Sequence, residues 1–367
     1  MATQSVQLPT FGILTSAVQP TGETREAMEA GYMHNSLGCR ELPAFLRLKE
    51  AAAEFHRLEA RLGENEAANH HLVVSQVHAL LASILELESL GVDKQEIHAA
   101  VAEVRRLHAA SPIIARMQNW PRGYAGDYQT VDIILSGQCV SQKGTLAYHL
   151  ERYVLDCPAS QQHRNKVVVQ AELICSTIAA NPEANILIVA CGGCPDLKLL
   201  SHELKTFRGQ LWLNDIDKDA LERSTAQIAR VCPNVKSVPG NVVELLRDAK
   251  SLPKFDLIVA GGLFDYLEDR VARFVIKGAY SCLRPSGRFF FTNIGTNPYR
   301  PWMEYCGEWF LRERDAANLS SLSVEAGVPA ENIELSTETT GLTYLVEIKN
   351  QRNTKSGSSH AFGANCC

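Results

Sequence analysis

Apolar positions recur along this chain with two different periods, and the change of period divides it. From Leu42 to Leu62 the apolar residues Phe45, Leu48, Ala52, Phe55, Leu58 and Leu62 follow helical spacing. His71 to Leu90 repeats that spacing with Val73, Val77, Leu80, Leu81, Ile84 and Leu87, and Gly91 supplies a helix stop. Asp93 is placed to cap a third helix that runs to about His108, with Ile97, Val101, Val104 and Leu107 inward. Two more helices are expected near Thr145 to Leu155 and Asn165 to Ala180. Then the pattern changes. Asn185 to Asp196 reads NILIVACGGCPD, a short apolar run that stops at Gly192 and Gly193. Such a run is the mark of a strand buried on both faces of a parallel sheet. The glycines let the backbone turn sharply and leave no side chain between it and a ligand. Leu197 to Leu204 has helical spacing again, which completes strand, glycine turn and helix: the first unit of a nucleotide-binding sheet.

Further strands follow in order. Gly209 to Asn214 ends at Asp215, roughly 20 residues past the glycines, where an acid can accept the ribose hydroxyls of an adenosine. Val235 to Val238 leads to Gly240–Asn241–Val242, and Phe255 to Ala260 ends in Gly261–Gly262–Leu263–Phe264. Arg284–Pro285–Ser286–Gly287–Arg288 is read as a tight turn into a fifth strand, Phe289 to Asn293. Ile333 to Thr337 and Leu342 to Ile348 read as two closing strands around Gly341.

This ordered series resembles the class I S-adenosylmethionine (SAM) dependent methyltransferases, over roughly Val168 to Lys349, half the chain. The resemblance implies an α/β fold: a Rossmann-like methyltransferase sheet with a closing C-terminal β-hairpin, here preceded by an N-terminal helical cap. It implies SAM at Ala190, Cys191 and Gly192 of the glycine turn, Asp215 at the ribose, Asn241 and Val242 at the adenine, and Gly261 and Phe264 after the fourth strand. Three departures stand out. The acid usual near the end of the first strand is replaced by Val189–Ala190, the three-glycine pattern is reduced to Gly192 and Gly193, and Asn241 stands where an acid often contacts adenine. A dinucleotide dehydrogenase also uses a glycine turn and a ribose acid, but the incomplete G-x-G-x-x-G and the RPSGR turn favour SAM. The expected organisation is a cap over 1–118, a lid loop and connecting helix over 119–160, the SAM-binding domain over 161–350, and a disordered tail over 351–367.

Composition narrows the partners. The 367 residues are 46% hydrophobic and 21% charged, ordinary for a globular protein of two domains or one enlarged domain. A net charge of −5 with no basic run argues against nucleic acid. Eleven scattered cysteines suit reduced thiols, and the absence of a basic leader followed by an apolar core argues against a signal peptide. A cytoplasmic location is expected, with no apolar run approaching the roughly 20 residues that span a membrane. Cys191 and Cys194 form a C-x-x-C, which the glycine turn explains better than zinc or redox work, and no metal is expected. A homodimer through the helical cap is a further expectation.

Two segments concentrate functional side chains. The first, Asn119 to Tyr128, contains RGYAGD, and its glycines, aromatics and charges suggest a lid over the reactive end of SAM, with a plain connector as the alternative. Arg122 is placed to hold the methionine carboxylate, with Arg300 as competitor, while Tyr124 and Asp127 face the ammonium or the substrate. The second, NPYRPWMEY, opens a helix expected to run through Trp309 and Leu311. Its aromatic and methionine stripe is more often core than pocket, but Tyr128, Asn293, Tyr299 and Arg300 are the substrate candidates. Tyr124, Asp127 and Glu304 are the candidate bases. These two segments are similar to those of a bacterial group of methyltransferase-like proteins in secondary metabolism. That group includes makers of fatty-acid methyl esters and synthases that cyclise SAM to azetidine-2-carboxylate. The resemblance therefore implies methyl transfer to a small molecule, or else attack of SAM's own amine on its γ-carbon with release of 5′-methylthioadenosine. A SAM-binding protein without catalysis is the third reading.

Overall fold

The computed structural model describes residues 43–351. The segment before it, expected to wrap over the surface, and most of the tail, with Cys366 and Cys367, lie outside the described residues.

Seven strands form one sheet: β1 (Asn185–Val189), β2 (Gln210–Asp215), β3 (Val235–Pro239), β4 (Phe255–Ala260), β5 (Leu283–Ile294), β6 (Ile333–Thr337) and β7 (Thr343–Lys349). Their spatial order is β3-β2-β1-β4-β5-β7-β6. The first five are parallel, while β7 runs antiparallel between β5 and β6. β1 and β4 are buried along nearly their whole length, which is why both read as continuous apolar runs rather than as alternation. Chain order reverses direction between β1 and β4, so a crevice opens outside their carboxyl ends. Helices Lys218–Ile228 and Pro158–Ala180 back one face of the sheet, and Asp269–Ser281 and Ala316–Glu325 the other.

The cap is a second helical core. Pro43–Arg61, Glu66–Ser89, Lys94–Ala100, Ala102–His108, Pro112–Asn119 and Leu146–Asp156 bury Phe45, Leu48, Phe55, Leu80, Ile84 and Leu87 among others. Trp302, Met303, Tyr305 and Cys306 belong to that core, so the aromatic and methionine stripe after β5 is packing. Glu66–Ser89 is long and apolar enough to cross a membrane by length and composition alone, although no such run was expected; its buried positions face the cap core.

Four local expectations need correction. The third cap helix breaks at Val101, whose ψ of 4° leaves the helical region, and resumes at Ala102. The helix after the glycine turn is two short pieces, Pro195–Leu199 and Glu203–Thr206. The RPSGR turn lies inside β5, where the register against β4 shifts between Phe255 and Leu257. The helix opened by NPYRPWMEY stops at Tyr305: Glu308 turns left-handed at φ 53°, and Trp309 N–H bonds back to the Met303 carbonyl at 2.8 Å.

Candidate functional site

A cavity of about 760 Å³ occupies the crevice, within the roughly 300–1,000 Å³ typical of small-molecule pockets. Its floor is made of strand ends: Ile188–Gly193 after β1, Asn214–Ile216 after β2, Gly240–Val242 after β3 and Gly261–Leu263 after β4. From β3 to β4 that floor crosses three inter-strand spacings, roughly 14 Å. Helix Pro158–Ala180 supplies His163, Lys166, Val167 and Gln170 as one wall. The lid segment supplies Tyr124, Gly126 and Tyr128, and Asp265, Tyr266 and Trp309 close the end beyond β4.

The glycine turn is held by strain and by hydrogen bonds. Ala190, Gly192 and Cys194 alternate in the left-handed region at φ 50°, 50° and 46°. For the two non-glycine residues this costs about 1–2 kcal/mol each, offset by the bonds the turn makes. Cys191 N–H donates to the Asn214 carbonyl at 3.1 Å, and Gly192 N–H donates to Asp215 Oδ2 at 2.7 Å. Asp215 Oδ1 accepts from Asp217 N–H at 2.8 Å, and with Ile216 N–H also lowering its pKa, backbone donors fix the carboxylate while leaving part of its acceptor capacity for a ligand. Burial raises its pKa above the usual aspartate value, and the backbone donors oppose that rise. Asn241 caps helix Val242–Arg247 by accepting from Val243 N–H at 2.8 Å, which leaves its amide nitrogen available at the cavity edge.

No protein-family model matches the chain, and no curated protein matches it in sequence. Solved structures match it in fold. A protein from Bordetella parapertussis described as a possible exported protein is 13% identical, with 85% of this chain and 98% of that one covered at a TM-score of 0.50. Magnesium protoporphyrin IX methyltransferase from Synechocystis, with bound S-adenosylhomocysteine (SAH), is 11% identical over 53% and 87% of the two chains, TM-score 0.40. The SAM-dependent methyltransferase SibL is 13% identical over 84% and 96%, TM-score 0.43. The strand order, with one antiparallel strand inserted next to last and the crevice between β1 and β4, decides the architecture. The chain has the class I methyltransferase fold.

Within that methyltransferase fold the cavity gathers Ala190, Cys191, Gly192, Asp215, Asn241, Val242, Gly261, Tyr124 and Tyr128. It does not gather the others. Arg122 is committed to Asp217 and, at 2.9 Å, to Asp219, with its guanidinium 5.1 Å from the centre of the Tyr128 ring. It holds the lid down and is not free to take a carboxylate. Asp127 caps helix Tyr128–Ser136, accepts from Gln129 N–H, Thr130 N–H and Thr130 Oγ1, and pairs with Arg116 at 2.6 Å. It is buried in this helix cap and does not line the cavity, so it is not placed to act as a base. Glu304 is held by Lys94 at 3.0 Å and Arg300 at 3.1 Å within the cap, and Arg300 also pairs with Glu88. Tyr299 lies on that same side, against His78. Asn293 is fully buried, donating to the Ile294 and Arg312 carbonyls and accepting from Arg314. Phe264 stacks on Phe291 with ring centres 4.1 Å apart, inside the sheet's core. Tyr124 donates to Asp217 at 3.1 Å; burial first, then Asp217, raises its pKa and keeps the phenol protonated.

Residues that the strand-and-loop reading passed over take their places. Lys166 and Asp265 face each other at 3.8 Å, both buried. Asp265 Oδ1 accepts from Ile294 N–H at 2.6 Å, and Trp309 Nε1–H donates to the Tyr266 hydroxyl at 2.8 Å. Asp196, just past the glycine turn, has its pKa pushed up to about 6 by burial, and its carboxylate accepts from the Leu197 N–H. The Cys191 thiol is raised well above its usual pKa, chiefly by its contact with Cys194 and then by burial, which makes it a poor nucleophile. Among the described residues no group of His, Cys, Asp and Glu side chains is arranged to hold a metal ion. The signal for the missed wall was present: His163, Lys166, Val167 and Gln170 fall at i, i+3, i+4 and i+7, one helical face carrying three polar residues.

Proposed function

We propose that this protein binds SAM along the carboxyl edge of the sheet and transfers its methyl group to a small molecule. One observation carries the reading: a single cavity joins the strained glycine turn, the Asp215 carboxylate and the available amide of Asn241, in strand order. Asp215 would take the ribose hydroxyls, Asn241 and the Val242 backbone the adenine, and the backbone of Ala190–Gly192 the ligand's middle. That order directs the reactive end towards β4, where Tyr124, Tyr266 and Trp309 form an aromatic enclosure. Bound SAM supplies a sulfonium whose attached carbons are open to in-line displacement. The chain supplies orientation, exclusion of water and aromatic faces for a cation.

Asp196 favours a second reading. Its buried carboxyl lines the cavity beside the glycine turn, and burial pushes its pKa up to about 6, which makes it a stronger proton acceptor towards a ligand ammonium than an ordinary aspartate. Taking that proton is the requirement for closing SAM's amine onto its own γ-carbon. One experiment separates the two: purified protein is incubated with SAM alone and with SAM plus a small-molecule cell extract, and the products are read by mass spectrometry. SAH formed only with extract supports methyl transfer. 5′-Methylthioadenosine with a four-carbon cyclic amino acid, formed from SAM alone, supports cyclisation. No SAM binding by calorimetry rejects both.

A further inference from the structure

His163 stands in the cavity wall with no hydrogen-bond partner among the described residues. Its ring stacks on Trp309, centres 5.6 Å apart and planes 28° from parallel, and the indole is fixed in turn by its bond to Tyr266. Lys166 and Arg164 lie nearby on its own helix, while Asp265 and Tyr266, from the segment after β4, line the same cavity. Arg164 is turned away to the Ile134 and Leu155 carbonyls, and Lys166 is opposed by Asp265. Burial, with these two cations, lowers the imidazole well below its usual pKa, so it enters any reaction neutral. The other bases read from the sequence are spent: Asp127 in a helix cap, Glu304 in the cap's ion pairs, Tyr124 as a donor.

We propose that His163 accepts the proton of the attacking group, and that this group is weakly acidic, an alcohol, phenol or ammonium, rather than a carboxylate. The proposal rests on the SAM-dependent transfer read above. The nucleophile's X–H bond breaks as its proton passes to an imidazole nitrogen, and an X–C bond forms. The C–S bond breaks, and its electron pair stays on sulfur as a neutral thioether. One positive charge disappears from sulfur and one appears on the ring. The buried cavity thus carries the same net charge before and after, and pays no new desolvation penalty. A carboxylate arrives already deprotonated at neutral pH and needs no such base.

The test uses histidine-labelled protein followed by NMR, with His163 assigned by the signal lost in His163→Gln. SAM and SAH are the probes, because they differ in the charge on sulfur. Calorimetry first establishes that both bind; if neither does, the SAM reading itself fails and the proposal with it. With both bound, His163 should protonate about ten- to a hundredfold more readily beside SAH than beside SAM, as a unit charge in the same cavity requires. Equal protonation in the two complexes overturns the placement. Under whichever condition wild type turns SAM over, His163→Gln should keep SAM affinity within a few-fold and lose roughly 10²–10⁴ in turnover. That loss should shrink as pH rises and solvent deprotonates the nucleophile. Full activity in the variant overturns the role.

Discussion

Removing both charges of the Lys166–Asp265 pair tests whether the cavity wall is built for stability or for a ligand. The two groups are 4% and 3% exposed and 3.8 Å apart. Burial is the largest influence on each: it lowers the lysine's pKa and raises the aspartate's, and their mutual attraction opposes both shifts without reversing either. On those signs the ionised pair sits in the fold at a net cost. Lys166→Met with Asp265→Asn keeps the shapes and leaves an acceptor for the Ile294 N–H. Equilibrium urea unfolding at pH 7 should find the double variant as stable as wild type, or about 1–4 kcal/mol more stable, as when buried ion pairs are replaced by neutral groups. Lys166→Met alone should be the least stable of the three. It strands a buried carboxylate, a loss of up to about 3–5 kcal/mol that protonation of Asp265 reduces. An acid whose folded pKa lies above its unfolded value binds its proton more tightly in the native state, so stability falls as pH climbs from the unfolded towards the folded value. The single variant should show that fall above about pH 4, and the double variant should not. A double variant as weak as the single one would refute the argument and make the pair a structural staple.

Other outcomes follow from the same geometry. Asp215→Ala removes the ribose acceptor and one anchor of the glycine turn, and should weaken SAM binding by calorimetry about a hundredfold or more. A Cβ at Gly126 would stand 2.3 Å from the Tyr266 hydroxyl and 2.6 Å from the Trp309 ring, at φ 66°; Gly126→Ala should cost about 2–4 kcal/mol in thermal unfolding. Gly123→Ala, at φ 82° but with open space around it, should cost about 1–2 kcal/mol, from backbone strain alone. Asp196→Asn should stabilise the protein by up to about 3 kcal/mol at pH 7, because the wild-type acid is raised from 3.8 to about 6 and deprotonation above that range is resisted by the fold. The gain should vanish near pH 4. Tyr124→Phe should leave SAM affinity nearly intact and lower turnover; unchanged turnover would make the lid a connector.

The sheet was legible because its strands are buried on both faces, and burial writes itself as uninterrupted apolar runs such as Ile186–Val189 and Leu257–Ala260. Asp215 and the glycine turn were legible because they lie where a strand ends, a place sequence marks. The wall opposite was not. His163, Lys166 and Gln170 share one helical face, but Ser160, Gln162 and Thr177 of the same helix are polar and buried too, and the packing of that helix against the sheet shows which polar residues line the cavity. Glu304 and Arg300 misled for the converse reason: charges near the sheet's carboxyl edge satisfy one another across the cap, with Glu88 and Lys94 contributed from more than 200 residues away.

The two dense loops have a shared explanation that neither carries alone. Gln118 donates to the Cys306 carbonyl at 2.7 Å and Trp120 to the Glu308 carbonyl at 2.9 Å, so the entry to the first loop is stapled to the second. Gly126 then passes so close to Trp309 that no side chain fits between them. Trp309 is buried in the cap core, lays its face on His163 and holds Tyr266 through its N–H. The first segment, through Trp120 and Gly126, and the second, through the turn after Tyr305, thus meet at one indole at the end of the cavity. Most of their charged groups do not reach a ligand at all. Trp309→Phe, which keeps one aromatic ring but loses the N–H donor and part of the buried indole, should cost the fold about 1–3 kcal/mol and leave SAM affinity nearly unchanged. It should lower turnover by freeing Tyr266 and the His163 stack to rotate. Turnover equal to wild type would mean that the loops pack the cap and position nothing.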